Sequence, residues 1–224
     1  EEKQETIRAV TNTGIMRQHL VTLENSGIES IQDLEGKTIS LGAPGTVLAI
    51  AAKSFLEKHG LYENENYNSQ YLSFAEASNS LKDGNIDAAF MQGTLPVVAA
   101  TELSTTHDVK FLPYDENPEL FAEFLEEHPY WSETTIPAGT YESLEEDITV
   151  LGLGGVIIAH ENVDEDVIYA ITKTIFERTD DLAQMHPAGN EFTLDIATEK
   201  VLIPFHEGAK KYLEEQGIEV ETGE

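Results

Sequence analysis

Thr38-Ile39-Ser40-Leu41-Gly42-Ala43-Pro44-Gly45-Thr46-Val47-Leu48 reads as a strand, a glycine-bearing loop and the start of a helix. From Val47 the apolar residues Leu48, Ala51, Ala52, Phe55 and Leu56 recur at helical spacing, and Gly60 ends the run. Two glycines and a proline let the backbone turn tightly, which aims the unbonded N–H groups of the helix start at whatever lies above them. A carboxylate or phosphate is the natural occupant of such a place. The loop has neither the lysine of a phosphate-binding loop nor the spacing of a dinucleotide fingerprint, so on its own it reads first as an ordinary strand-to-helix turn.

The surrounding pattern repeats this unit. Upstream, Ile7 to Val10 and His19 to Leu23 read as short strands, with a turn at Glu35-Gly36-Lys37 before Thr38. Downstream, Tyr71-Leu72 is a short strand, and Ser73 with Glu76 forms a capping box for a helix running to Lys82. Ile86 to Met91 suits a buried strand, and Lys110-Phe111-Leu112 suits another. Strands alternating with helices predict an α/β fold on a parallel sheet.

Asn117-Pro118 caps a helix that presents Leu120, Phe121, Phe124 and Leu125 before His128-Pro129 stops it. Thr135 to Tyr141 is extended and bears Pro and Gly, so a linker between two lobes is expected near residues 132 to 147. Val150 to Ala159 follows as a long apolar strand. Asp164 caps a helix whose inner face is expected at Val167, Ile168, Ile171, Ile175 and Phe176, and Gly208 to Gln216 forms a last helix. Gly152-Leu153-Gly154-Gly155 precedes a strand rather than a helix, which marks close backbone packing or a hinge and not a nucleotide loop.

Composition removes several function classes. The 224 residues carry 42 Asp plus Glu against 13 Lys plus Arg, a formal charge of −29 spread along the whole length. Nucleic acid is therefore excluded as a partner, and a surface adapted to high salt is the preferred reading, since a Debye length of about 3 Å at 1 M salt screens carboxylate repulsion. No Cys is present, so disulfides, thiolate nucleophiles and Cys-held metals are out. The seven His residues are scattered without a helix-face pair of zinc-ligand type, and no Gly-x-Ser-x-Gly elbow occurs. Neither a metal nor a cofactor is expected, and no catalytic residue can be assigned. The start, Glu1-Glu2-Lys3-Gln4-Glu5, lacks the basic and apolar regions of an export signal, so any such signal or lipid anchor is expected to have been removed.

Ser40-Leu41-Gly42-Ala43-Pro44-Gly45, Asp87-Ala88-Ala89-Phe90, Ile136-Pro137-Ala138-Gly139-Thr140-Tyr141, Asp164-Glu165-Asp166-Val167-Ile168-Tyr169, His186-Pro187-Ala188 and Ile203-Pro204-Phe205-His206-Glu207-Gly208-Ala209 occur in this order. Together they resemble the TAXI family of TRAP-transporter solute receptors along nearly the entire chain. The resemblance implies a type II periplasmic-binding fold, two α/β lobes joined by crossing segments, with a small carboxylate or amino acid such as glutamate between them. It implies an extracytoplasmic protein, periplasmic or at the cell surface, that delivers its ligand to membrane TRAP transporter subunits and is not an enzyme. A ligand-sensing module of a signalling system is the alternative.

Residues 12–145 are expected to form the family's second lobe, with 1–11 and 146–224 as a partial first lobe. The glycine-rich G-T-G-G-x-x-G segment that opens the family's first lobe is absent, which is expected of a fragment or a short variant. Where the family often reads G-A-P-G-S-G-T, this chain has Val47 and Leu48 after Thr46. The resemblance places Gly42, Ala43, Pro44, Gly45, Thr46 and Val47 in the ligand site together with Gln92, Gly93 and Thr94, because ligands of open α/β sheets sit beyond the carboxyl ends of strands. Arg17, in the first crossing segment, is the guanidinium expected to reach it, with a surface ion pair as the alternative.

Overall fold

The computed structural model describes residues 5–220. In chain order these form β1 (Ile7–Leu23), β2 (Thr38–Ser40), α1 (Val47–Lys58), β3 (Asn68–Gln70), α2 (Phe74–Lys82), β4 (Ala88–Gly93), α3 (Val98–Ser104), β5 (Val109–Phe111), α4 (Pro118–Glu127), β6 (Trp131–Ile136), β7 (Ile148–His160), α5 (Glu165–Glu177), α6 (Thr179–Met185) and α7 (Glu207–Glu215). This is a mixed α/β fold. Among the described residues no helix is long and apolar enough to cross a membrane.

The chain divides into two compact units, Met16–Leu153 and a second built from the chain up to Ile15 and from Gly154 onward. Both divisions fall inside strands, β1 and β7, and not in residues 132 to 147. The Pro/Gly signal near Ile136 marks instead the turn by which β6 gives way to β7, the two pairing antiparallel from Trp131↔Leu153 to Ile136↔Ile148. Ile7 to Val10 and His19 to Leu23, expected as separate strands, are one strand. The polar residues between them are accommodated because Thr11 and Asn12 are buried and bonded, with Asn12 Nδ2 donating to the Glu199 carbonyl at 2.7 Å.

In Met16–Leu153 the strand order runs β3-β2-β4-β1. β2 is parallel to both β3 and β4, while β1 is antiparallel to β4 and to β5. Antiparallel β1 is the departure from a wholly parallel sheet, and no local pattern encodes pairing direction. Ile39, Leu41, Phe55, Leu56, Ala88, Phe90, Tyr114, Phe124 and Trp131 pack the core at 2 % exposure or less. The apolar period of α1 is what buries Leu48, Ala51, Ala52, Phe55 and Leu56. Glu63, ahead of β3, ties α1 to β3 and to the residue after it. Its carboxylate accepts from Lys53 Nζ (2.8 Å), Ser69 Oγ and Tyr71 Oη (2.7 Å), and Lys53 above all holds its pKa down to about 2.

On the other face of β1, His19 is wholly buried inside a polar chain. The Val97 N–H donates to Tyr141 Oη (2.9 Å), the Tyr141 hydroxyl donates to His19 Nε2 (2.8 Å), and His19 Nδ1–H donates to the Arg17 carbonyl (2.9 Å). Tyr141 also stacks on Phe111, with centroids 4.7 Å apart. The tyrosine that ends the Ile136 to Tyr141 stretch is thus a core strut. It fixes the backbone at Val97, just beyond the turn that follows β4.

The second unit has its own core of Ala9, Val10, Ile168, Ala197, Phe205, Ala209, Tyr212 and Leu213. Ala9 pairs in parallel with Phe205. Gly154 and Gly155 lie against Asn12 and Thr13, so the glycine run serves close packing. On α5 the inner face differs from expectation. Ile168 and Thr172 are buried while Val167 and Ile171 are exposed, because α7 lies along the Ile168 side and Gly208 sets how closely. A Cβ at Gly208 would meet the Glu165 carbonyl oxygen and, at 2.8 Å, the Tyr169 nitrogen. Gly208→Ala is therefore expected to destabilise by about 1–3 kcal/mol, the backbone clash outweighing a propensity gain of about 1 kcal/mol. Chemical denaturation checks this, and a variant as stable as the parent would mean the two helices separate freely.

Candidate functional site

The carboxyl ends of the parallel strands β2, β3 and β4 all open on one hollow of about 400 Å³ within Met16–Leu153. Its wall is Ala43, Thr46, Val47 and Leu48 after β2, Ser73 and Phe74 after β3, Gln92 at the end of β4, Met16 from β1 and Leu153 from β7. This size suits a small organic ligand. Gly42 makes the first turn possible: its φ is +92°, and a Cβ there would lie 2.6 Å from Leu48 Cδ2.

Two helices begin at this wall, and they are not equivalent. At α1 the Thr46 hydroxyl donates to the Ala43 carbonyl (2.8 Å) and accepts from the Ala49 N–H (3.3 Å), while the Ile50 N–H bonds the Thr46 carbonyl (3.2 Å). The N–H groups of Val47 and Leu48 stand in the turn where a helix offers no acceptor of its own, and no acidic residue occupies that first turn. At α2 the expected capping box is present. Ser73 Oγ and N–H both donate to the Glu76 carboxylate, at 2.6 and 2.9 Å, which lowers the Glu76 pKa through the hydroxyl bond first. Glu76 thus offsets the positive end of α2 and leaves that of α1 unneutralised.

Among the described residues that line the hollow none is charged. Whatever holds an anion here is backbone N–H and helix dipole, not a lysine or arginine. Gln18 lies directly opposite Gln92 in the β1–β4 register and donates from Nε2 to the Leu48 carbonyl at 3.3 Å, tying β1 to the first turn of α1.

Of the residues expected from sequence, Ala43, Thr46, Val47 and Gln92 line this hollow. Gly42 is buried against Leu48, Pro44 and Gly45 are exposed, and neither these nor the half-buried Gly93 and Thr94 line the hollow. Arg17 does not line it. Met16 faces the hollow, so strand alternation turns Arg17 to the opposite side, where its Nε donates to the Thr135 carbonyl at 3.0 Å. Sequence reasoning missed Met16, Leu48, Ser73, Phe74 and Leu153. For Ser73 and Phe74 the signal existed, since they follow a predicted parallel strand as Gly42 does. For Met16 and Leu153 there was none, because both arrive through long-range pairing.

The profile of the NMT1-like family matches residues 1–217. Among solved structures, the substrate-binding protein of an amino acid ABC transporter is 17% identical, with a TM-score of 0.42 over 81% of this chain and 64% of its own. The probable amino-acid ABC transporter extracellular-binding protein ytmK from Bacillus subtilis is 14% identical, with a TM-score of 0.44 over 86% of this chain and 67% of its own. The periplasmic aliphatic sulphonate binding protein SsuA from Escherichia coli is 13% identical, with a TM-score of 0.44 over 93% of this chain and 55% of its own. The chain spans about half to two thirds of the length of these proteins.

Proposed function

We propose, for a chain that belongs to the NMT1-like family, the function of an extracytoplasmic solute receptor. It binds a small carboxylate or amino acid and presents it to a membrane transporter, without covalent chemistry. The observation that carries this reading is the first turn of α1, free of acidic residues and opening on a hollow at the carboxyl ends of three parallel strands. Two N–H groups at a helix start favour one carboxylate, and charge-assisted hydrogen bonds of this kind contribute about 1.5–3 kcal/mol each when shielded from water. The finer assignment within this reading is a TRAP-type receptor of the TAXI kind. In that assignment Met16–Leu153 corresponds to one lobe, and the chain up to Ile15 with that from Gly154 onward to part of the other.

Calorimetric titration with small carboxylates tests the function. Thr46→Ala removes the hydroxyl that orders the loop, a capping loss of about 1 kcal/mol, and Thr46→Pro removes the N–H as well. Both variants are expected to weaken carboxylate binding, the proline variant more. Affinity unchanged by both would take the loop out of the site.

The acidic surface belongs, in this reading, to a protein that works in concentrated salt. With a charge of −29, added KCl screens self-repulsion in the compact state. Thermal melts are expected to shift upward toward 2 M KCl. A midpoint that stays flat or falls would mean that the carboxylates serve another purpose.

A further inference from the structure

β1 runs through both compact units, which divide between Ile15 and Met16. It bridges to Phe205 at Ala9 and pairs with β4 from Arg17 onward. Between these points its N–H groups go to side chains and to a neighbouring stretch of chain. The Asn12 N–H donates to the Ala197 carbonyl (2.9 Å), the Gly14 N–H to Asn12 Oδ1 (2.7 Å) and the Ile15 N–H to Glu191 Oε2 (2.8 Å). With Asn12 Nδ2 bonded to the Glu199 carbonyl, residues 191–199 lie along β1 as a splint.

The strand is bent under that splint. Gly14 has a φ of +101°, where an L side chain is strained, and a Cβ there would meet the Glu191 side chain, with the Glu191 Cβ at 2.7 Å. A glycine in this conformation, beside N–H groups given to side chains instead of a ladder, is how a bulge re-aims a strand. Glycine adopts ordinary extended angles as readily, so the bend lasts only while its partners hold it. Where β7 crosses the same division it carries Gly154 and Gly155, and Gly155 lies against Thr13 with no side chain of its own to resist a change.

We propose that Glu191 is a latch on this crossing. With its carboxylate on the Ile15 N–H, β1 keeps the bend at Gly14; with the carboxylate withdrawn, Gly14 takes other backbone angles and the two units change orientation about that point. Asn12 is buried and bonded through both ends of its amide, which makes it the fixed side of the device. Glu191 ends a short 3-10 turn and is only half-buried, so its carboxylate is the part that leaves for water. The latch goes beyond the receptor reading and does not depend on it, since none of Asn12, Gly14 and Glu191 lines the hollow.

The chain has no Cys, so Glu126→Cys on α4 and Ala170→Cys on α5, exposed positions in different units, take a fluorophore pair without background labelling. Adding Glu191→Ala is expected to make the distribution of energy-transfer distances at least twice as broad. Glu191→Gln keeps an acceptor oxygen in place and should stay close to the parent width. Gly208→Ala, which loosens the packing of α5 on α7, is expected to leave the width unchanged. Far-UV circular dichroism and the melting midpoint report whether each variant is folded. Should Glu191→Ala fail to fold, Glu191→Asp, whose carboxylate falls short of Ile15, is expected to broaden the distribution in its place. A parental width in the folded Glu191→Ala or Glu191→Asp protein overturns the proposal. Equal broadening by Gly208→Ala overturns it too, because the width would then report general loosening and not a latch.

Discussion

Val47→Asp is expected to abolish carboxylate binding while leaving the protein as stable as before or slightly more so. Val47 is the first residue of α1, 48% exposed, and lines the hollow. Replacing it therefore removes little buried apolar surface. An aspartate at the first helical position interacts favourably with the helix dipole, contributing about 0.3–1 kcal/mol. The same carboxylate takes the place of the ligand's own at the Val47 and Leu48 N–H groups and repels it. Losing two charge-assisted bonds removes roughly 3 kcal/mol or more of affinity, so at least a hundredfold weakening is expected. Val47→Asn, similar in size and uncharged, should retain most of the binding. Calorimetry and thermal melts on both variants check this pair of signs. A Val47→Asp protein that binds small carboxylates as the parent does would show that the start of α1 holds no anion.

The opposed signs matter because most site substitutions lower stability and binding together and so say little. Here the sequence already carried the needed signal. Thr46 followed by an apolar helical period identified both the cap and the helix, and the absence of Asp or Glu in the next turn is readable without a structure. The helices after Ser40 and before Ala88 are legible for the same reason, but the strand before α2 is not: it lies at the polar Asn68–Gln70 and not at the apolar pair Tyr71-Leu72, because an edge strand that pairs only with β2 carries little apolar signal.

What stayed hidden was long-range. Nothing near Met16 or Leu153 tells which strand end they approach, and nothing near Arg17 says that strand alternation turns it away from Met16's face. Residues 132 to 147 read as a linker because Pro and Gly look alike in a turn and in a connection between units. The division lies instead at Leu153 and Gly154, inside a strand with no break in its apolar run. The Gln18–Gln92 pairing likewise depends on register, which composition does not encode.

Acid is expected to weaken this protein through His19 well above the range in which most carboxylates titrate. Burial is the main cause that lowers its pKa from 6.5 to about 4, and the nearby Arg17 charge adds to it. A folded value below the unfolded one means that the unfolded chain takes up the proton first. The stabilisation from neutral His19 is fully present above about pH 6.5 and is lost as pH falls toward 4. At about 1.36 kcal/mol per pKa unit, the loss between pH 7 and pH 4 comes to about 3 kcal/mol. His19→Gln removes the titration, so the difference between parent and variant stability across this window isolates the histidine from the many carboxylates both proteins share. The chain of hydrogen bonds says what the proton does. A protonated Nε2 can no longer accept from Tyr141, whose own pKa, pushed up to about 12 by burial, keeps its hydroxyl a donor with nowhere to donate. Nε2–H then points at the Tyr141 oxygen and the hydroxyl hydrogen has to turn elsewhere, which strains the oxygen that the Val97 N–H uses and with it the backbone beyond Gln92. Carboxylate affinity is therefore expected to fall with stability between pH 6.5 and 4, and to fall less in a His19→Gln protein that still folds. Parallel pH dependence in parent and variant would show that His19 is not the group being titrated.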